Sequence, residues 1–215
     1  MINQSESLPR SGLRSASIYV LVAAVLWGTT GTAKSYIPGD PDPMAVGAVR
    51  IAIGGIALTI AAWHTGSFAK GRTWPRLPML LAAIGVAGYQ VLFFSGIDRT
   101  GVAIGTVVSI GSAPAFAGLL AWIIRGERPA RRWLQATAVS VFGATLLIAA
   151  SSGAQGNVPG IALCLCAGLS YATYAIASQD LIIAGHSPET AMAVAFGGGA
   201  ILLSPLLFER DVSWV

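Results

Sequence analysis

Residues 101–124 read GVAIGTVVSIGSAPAFAGLLAWII, an unbroken run without one charged side chain, closed by Arg125. A helix needs roughly 20 apolar residues to cross about 30 Å of hydrocarbon, so this run is long enough to span a bilayer. Six comparable blocks surround it, at 16–37, 44–63, 77–96, 133–151, 158–179 and 189–208, with short polar breaks between them. Mean hydropathy is +0.70 and charged residues make up 10% of the chain, against roughly 25% in soluble domains. A soluble chain of this length has no interior that could hide seven such helices. The expected fold is an all-α integral membrane protein, a multi-pass helix bundle of about seven spans.

The charge distribution orients the bundle. Arg10 and Arg14 precede the first block, Lys70, Arg72 and Arg76 follow the second, and Arg125, Arg128, Arg131 and Arg132 follow the fourth. The alternate connections carry only Arg99 and Arg210. The positive-inside rule then places the N-terminus and the even-numbered connections in the cytoplasm of a cell-membrane protein. One connection departs from the pattern: that between blocks six and seven holds Asp180, His186 and Glu189 but no Lys or Arg. The run from Arg125 to Arg132 reads better as a topology determinant resting on anionic headgroups than as a nucleic-acid patch. Cys164 and Cys166, two positions apart on one helix, point in different directions and do not pair with each other.

An internal repeat follows. The first block reads Trp27-Gly28-Thr29-Thr30 and on to Lys34; the sixth reads Tyr171-Ala172-Thr173-Tyr174 and on to Ser178. The spacing i, i+3, i+7 puts each set on one helix face. Asp42-Pro43 then matches Ser187-Pro188, each just ahead of the next block, and Gly54 matches Gly199. The copies are offset by five spans, an odd number, so the second enters the membrane from the other side. Such inverted repeats build many secondary transporters. Residues 1–15 are expected as a cytoplasmic tail, 16–151 as a first five-helix repeat, and 158–215 as a second repeat cut short after two helices.

At these residues the chain resembles the EamA-like branch of the drug/metabolite transporter superfamily. The resemblance runs from about residue 18 onward. It is carried by Trp27-Gly28 to Lys34, by Pro43 to Arg50, by Thr100-Gly101-Val102-Ala103 through Pro114 to Gly126-Glu127-Arg128, and by Gly143. It implies helices bundled around a central cavity and transport of small metabolites, often efflux of amino acids or related compounds. It also implies ten spans, against the seven read here.

Lys34 and Arg50 are the only basic residues within spans. A cation at mid-membrane costs about 2.5–3.5 kcal/mol on insertion scales, which makes such residues functional candidates. Lys34, one turn from its helix end, reads equally as an interfacial anchor or a solute contact. Arg50 lies six residues into its block, roughly 9 Å. It is expected either to pair with Asp40 or Asp42 or to capture a substrate carboxylate. Trp27, Thr30, Tyr171 and Tyr174 offer an aromatic face with hydroxyl donors, suited to a midplane cavity; packing with locally bonded hydroxyls is the alternative. Tyr89 and Gln90 add a polar pair whose amide must face the bundle interior. Gly101, Gly105, Ser109 and Ser112 form a stripe of small residues for close helix contact. Pro114 suits a kink or hinge, and Glu127 a loop salt bridge or gate latch.

No Asp or Glu lies in mid-span, and no nucleotide loop, metal motif or nucleophile elbow is present. Both His64 and His186 sit at span ends, where surface histidines belong. No enzyme activity, cofactor or metal is expected. The expected partners are a small-molecule solute and the lipid bilayer, with no nucleic acid; a shortened copy would call on a second chain to complete the bundle. The leading expectation is a transporter, and the alternative a non-transporting remnant or a membrane regulatory protein.

Overall fold

Short polar caps start the helices. The structure, a computed structural model, describes residues 42–69, 73–150 and 157–209, together with Ile18, Leu21, Val22 and Val25 of the first block, all four helical. Asp42 caps helix α1 (Pro43–His64), its Oδ1 accepting from the amides of Met44 at 2.7 Å and Ala45 at 3.3 Å. Helix α5 (Val158–Ile183) is capped by Asn157, which accepts from the Gly160 amide at 3.0 Å. Helix α6 (Pro188–Glu209) is capped by Ser187, whose Oγ accepts from the Thr190 amide at 3.2 Å. Proline stands in the first turn of all three, where its missing N–H costs nothing and its φ is already helical. The Asp42-Pro43 and Ser187-Pro188 pairs matched in the sequence are thus equivalent helix starts.

Between these lie α2 (Arg76–Thr100), α3 (Val102–Arg125) and α4 (Arg131–Ala150). Gly101 alone, at φ +83°, separates α2 from α3. Blocks two to seven are therefore helices, each within a few residues of its expected bounds, and the described residues contain no strand. Five of the six helices are long and apolar enough to cross a membrane. The exception is α4, which begins on Arg131 and Arg132 and is further diluted by Gln135, Thr137, Ser140 and Thr145.

Small side chains let the helix backbones touch. The largest fully buried side chains are only Leu181, Thr190, Cys164 and Ser109, a pattern of membrane bundles, where helix association depends on close packing. The most extensive contact joins α2 to α5, and the next joins α1 to α6; α3 also lies on α5, and α4 on α3. At the α2–α5 crossing, a Cβ on Gly85 would lie 2.7 Å from the Tyr174 amide nitrogen and 2.8 Å from the Ser170 carbonyl oxygen. Only glycine fits there. Of the expected small-residue stripe, Gly101 is the exposed link before α3, whereas Gly105 and Ser109 are buried on α3 and the Ser109 carbonyl lies against Gly168 of α5. Cys164 is buried and Cys166 exposed, both free.

Chain direction alternates from helix to helix, so the connections sort onto two faces. On one face, the α1–α2 and α5–α6 connections meet through Trp74 stacked on His186, ring centroids 3.9 Å apart. Arg125, ending α3, reaches Asp180 near the end of α5 on that same face. On the other, Asn157 at the start of α5 donates to the Arg99 carbonyl at the end of α2 (2.6 Å). His186 is therefore buried against an indole, not a surface histidine as its position suggested, whereas His64 is exposed.

Candidate functional site

Gln90, 3% exposed, is the hub of the polar site. Its Oε1 accepts from Arg50 Nη2 at 3.3 Å, and its Nε2 donates to the Gly47 carbonyl at 3.4 Å. Both ends of the amide are satisfied, as a buried amide among apolar helices requires. The partner that the sequence left open for Gln90 is thus protein, supplied by α1. The expected pairing of Arg50 with a loop carboxylate is corrected in part: Asp42 is the N-cap of α1, Asp40 lies outside the described residues, and the described ion pairs do not include Arg50. Arg50 is held by a neutral amide, which orients its charge without cancelling it.

Beside this pair runs a chain of rings. Phe93 and Tyr89, one turn apart on α2, stack with centroids at 5.3 Å. Tyr89 meets Tyr171 of α5 edge-on at 5.7 Å, Tyr171 meets Tyr174 at 5.6 Å, and Tyr174 meets Phe196 of α6 at 5.8 Å. Offset and edge-to-face contacts of this kind are the favoured aromatic geometries. The Tyr174 hydroxyl donates to Met192 Sδ at 3.1 Å. Arg50 and Tyr89 are also electrostatic neighbours. All five site candidates on α1, α2 and α5 (Arg50, Tyr89, Gln90, Tyr171, Tyr174) therefore fall in one region of the bundle, while Trp27, Thr30 and Lys34 lie outside the described residues.

Pro114 stands in the interior of α3 with its ring exposed, and the helix continues through it to Arg125. Glu127 is an exposed loop residue, 4.0 Å from Arg125. The stronger polar tie is one that sequence reasoning counted only as a topology charge. Arg125 donates to Gln179 Oε1 at 2.8 Å, to the Ile176 carbonyl at 3.5 Å and to the Asp180 carboxylate, joining the end of α3 to the end of α5. Asp180, an acid in a connection without a basic residue, was the signal for it. Arg125→Gln should weaken this tie by about 1 kcal/mol, since the pair is partly exposed. Exchanging the charges, Arg125→Asp with Asp180→Arg, should recover part of the loss. Thermal melting of the unaltered protein, the Gln variant, the two charge-reversed single variants and the double exchange reads the coupling; equal melting points for single and double variants would contradict it.

Apolar helices of spanning length, small-residue packing and connections sorted by charge define a multi-pass membrane protein. The EamA-like transporter family model matches residues 14–149, and the chain belongs to that family. It is 42% identical over 200 residues to the uncharacterized transporter YwfM of Bacillus subtilis, covering 93% of this chain and 67% of that one. It is 25% identical to the uncharacterized inner membrane transporter YicL of Salmonella typhimurium, over 88% of this chain and 66% of that one. A probable terminal-alkyne amino-acid exporter of Streptantibioticus cattleyicolor shares 31% identity over 74% of this chain and 52% of its own. The chain thus spans about two thirds of the first two relatives and about half of the third. Among solved structures, the crystal structure of a protein superposes with a TM-score of 0.66 at 25% identity, over 93% of this chain and 69% of that one. The family model and the names of these relatives are those of transporters rather than enzymes, and the chain is a multi-pass membrane protein of that family.

Proposed function

We propose that this protein moves small metabolites, amino acids or related solutes, out across the cell membrane by alternating access between inverted repeats. One observation carries the reading: a guanidinium about 10 Å into its helix, held by an amide rather than neutralised by a carboxylate among the described residues. A charge so costly in the bilayer calls for a counter-charge, and a solute carboxylate supplies one. The kinship to a named amino-acid exporter agrees with that chemistry.

The seven-span arrangement counts the first block and α4 as spans; the 20 residues of α4 reach about 30 Å. The inverted repeat is supported by the close packing of α1 against α6, which run in opposite directions from equivalent Asp-Pro and Ser-Pro starts. The face carrying Arg76, Arg125, Arg128, Arg131 and Arg132 is read as cytoplasmic, and the N-terminus with it. Trp27, Thr30 and Lys34 of the first block join Arg50, Tyr89, Gln90, Tyr171 and Tyr174 as the proposed solute contacts, with the Arg125 tie and Pro114 as parts that yield when the bundle changes state. Solute flux in proteoliposomes, measured against a pooled metabolite panel, tests the reading. Saturable flux of carboxylate-bearing solutes is expected; well-folded protein that moves none of the panel would overturn it.

A further inference from the structure

A cavity of about 210 Å³ opens on the face opposite the basic one, between the start of α1 and the last turns of α2. Asp42, Met44, Phe94, Ser95, Asp98 and Arg99 line it. Its volume is below the ~300 Å³ at which drug-sized pockets begin, so it suits small solutes only. Asp98 and Arg99 carry opposite charges, yet neighbours on a helix diverge and do not face each other. Neither side chain enters an ion pair among the described residues. Two acids, Asp42 (the cap of α1) and Asp98, and one base, Arg99, therefore line the cavity together with apolar Met44 and Phe94.

Along α2, Phe94 lies one turn inward from Asp98, and Gln90 one turn further, about 12 Å from the rim in all. The Phe94 ring occupies the space that a Cβ on Gly47 would fill, and Gly47 is also the residue whose carbonyl accepts from Gln90. Phe94 is 8% exposed and braced edge-on by Phe93 at 5.4 Å.

We propose that this cavity is an outer solute subsite, separate from the Arg50 position, which holds small zwitterionic amino compounds with the ammonium group on Asp98 and the carboxylate on Arg99, while Phe94 closes the passage to Arg50. Its place on a transport route rests on the proposed function; its capacity to bind does not.

The test is equilibrium binding to the full chain in nanodiscs with three probes. These are L-leucine, L-leucine methyl ester (ammonium only) and 4-methylpentanoate (carboxylate only). Leucine should bind best. Asp98→Asn should weaken leucine and the ester by about tenfold or more, and Arg99→Gln should do the same to leucine and 4-methylpentanoate, as loss of a charge-assisted hydrogen bond does. Both variants lie at an exposed helix end, and monodisperse elution checks their folding. Leucine binding untouched by both variants but removed by Arg50→Gln would overturn the outer subsite and leave the transport reading standing. Absence of binding by all three probes to the unaltered chain would also overturn it. Binding that depends on Asp98 and Arg99 in protein that moves no solute would uphold the subsite and count against the transport reading instead.

Discussion

Arg50→Ala is expected to lower saturable flux about 100-fold or more, while Arg50→Lys should keep a residual rate with a raised KM. The expectation follows from the partner that Arg50 has. Gln90 accepts one hydrogen bond from Nη2, which fixes the guanidinium plane but leaves its remaining donors and its full charge for a solute. Each hydrogen bond to a charged group is worth about 1.5–3 kcal/mol, so losing a two-point carboxylate contact costs two or more factors of ten. Lysine keeps the charge but not the fork, and a point charge on a flexible stem does not reproduce bidentate recognition. Counterflow in proteoliposomes measures both variants, with monodisperse elution as the folding control. Full activity in Arg50→Ala would remove Arg50 from the solute path and make its bond to Gln90 a packing device.

The second large effect belongs to the α2–α5 crossing. Gly85→Leu should fail to give a monodisperse bundle, and Gly85→Ala should lower the melting point by several degrees. A Cβ at Gly85 meets the Tyr174 nitrogen at 2.7 Å and the Tyr174 Cβ at 2.8 Å, far inside the 3.5–4.0 Å of ordinary carbon contacts. Two of the three nearest atoms are backbone, so the helices must separate rather than a side chain turn aside. Overpacking of this kind costs about 1–3 kcal/mol, at roughly 2–4 °C per kcal/mol for a chain of this size. Separation there would also pull Tyr89, one turn from Gly85, away from Tyr171. Gly54→Ala is the matched control: nothing lies within 4 Å of its Cβ position, and alanine is the better helix former. Equal melting for the two alanine variants would show that the crossing tolerates a wider approach.

How much of the site was legible beforehand depends on the kind of signal. Arg50 and Gln90 stood out because polar groups in a long apolar run must be satisfied or used, and that expense is visible in one dimension. Tyr171 and Tyr174 stood out through their shared helical face. Phe94, Met192 and Phe196 did not, since an apolar residue in an apolar helix carries no mark of what it touches. Arg125 was counted with the topology charges because its bond to Asp180 crosses 55 positions of sequence. His186 was placed on the surface for the same reason: its stacking partner, Trp74, sits in a distant connection.

The sequence by itself determined the class, the helix limits and the two faces. Those follow from local and additive quantities: run length against bilayer thickness, capping residues beside prolines, and the sign of charge in each connection. The tertiary structure alone decided that Arg50 bonds an amide, that Gly85 lies directly against the backbone of α5, and that Phe94 lines an outer cavity while packing on Gly47. These depend on the rotation and crossing of helices that share the same apolar alphabet. In a bundle packed through alanine and glycine, many rotations satisfy hydropathy equally well, and only the fit of backbone against backbone selects among them.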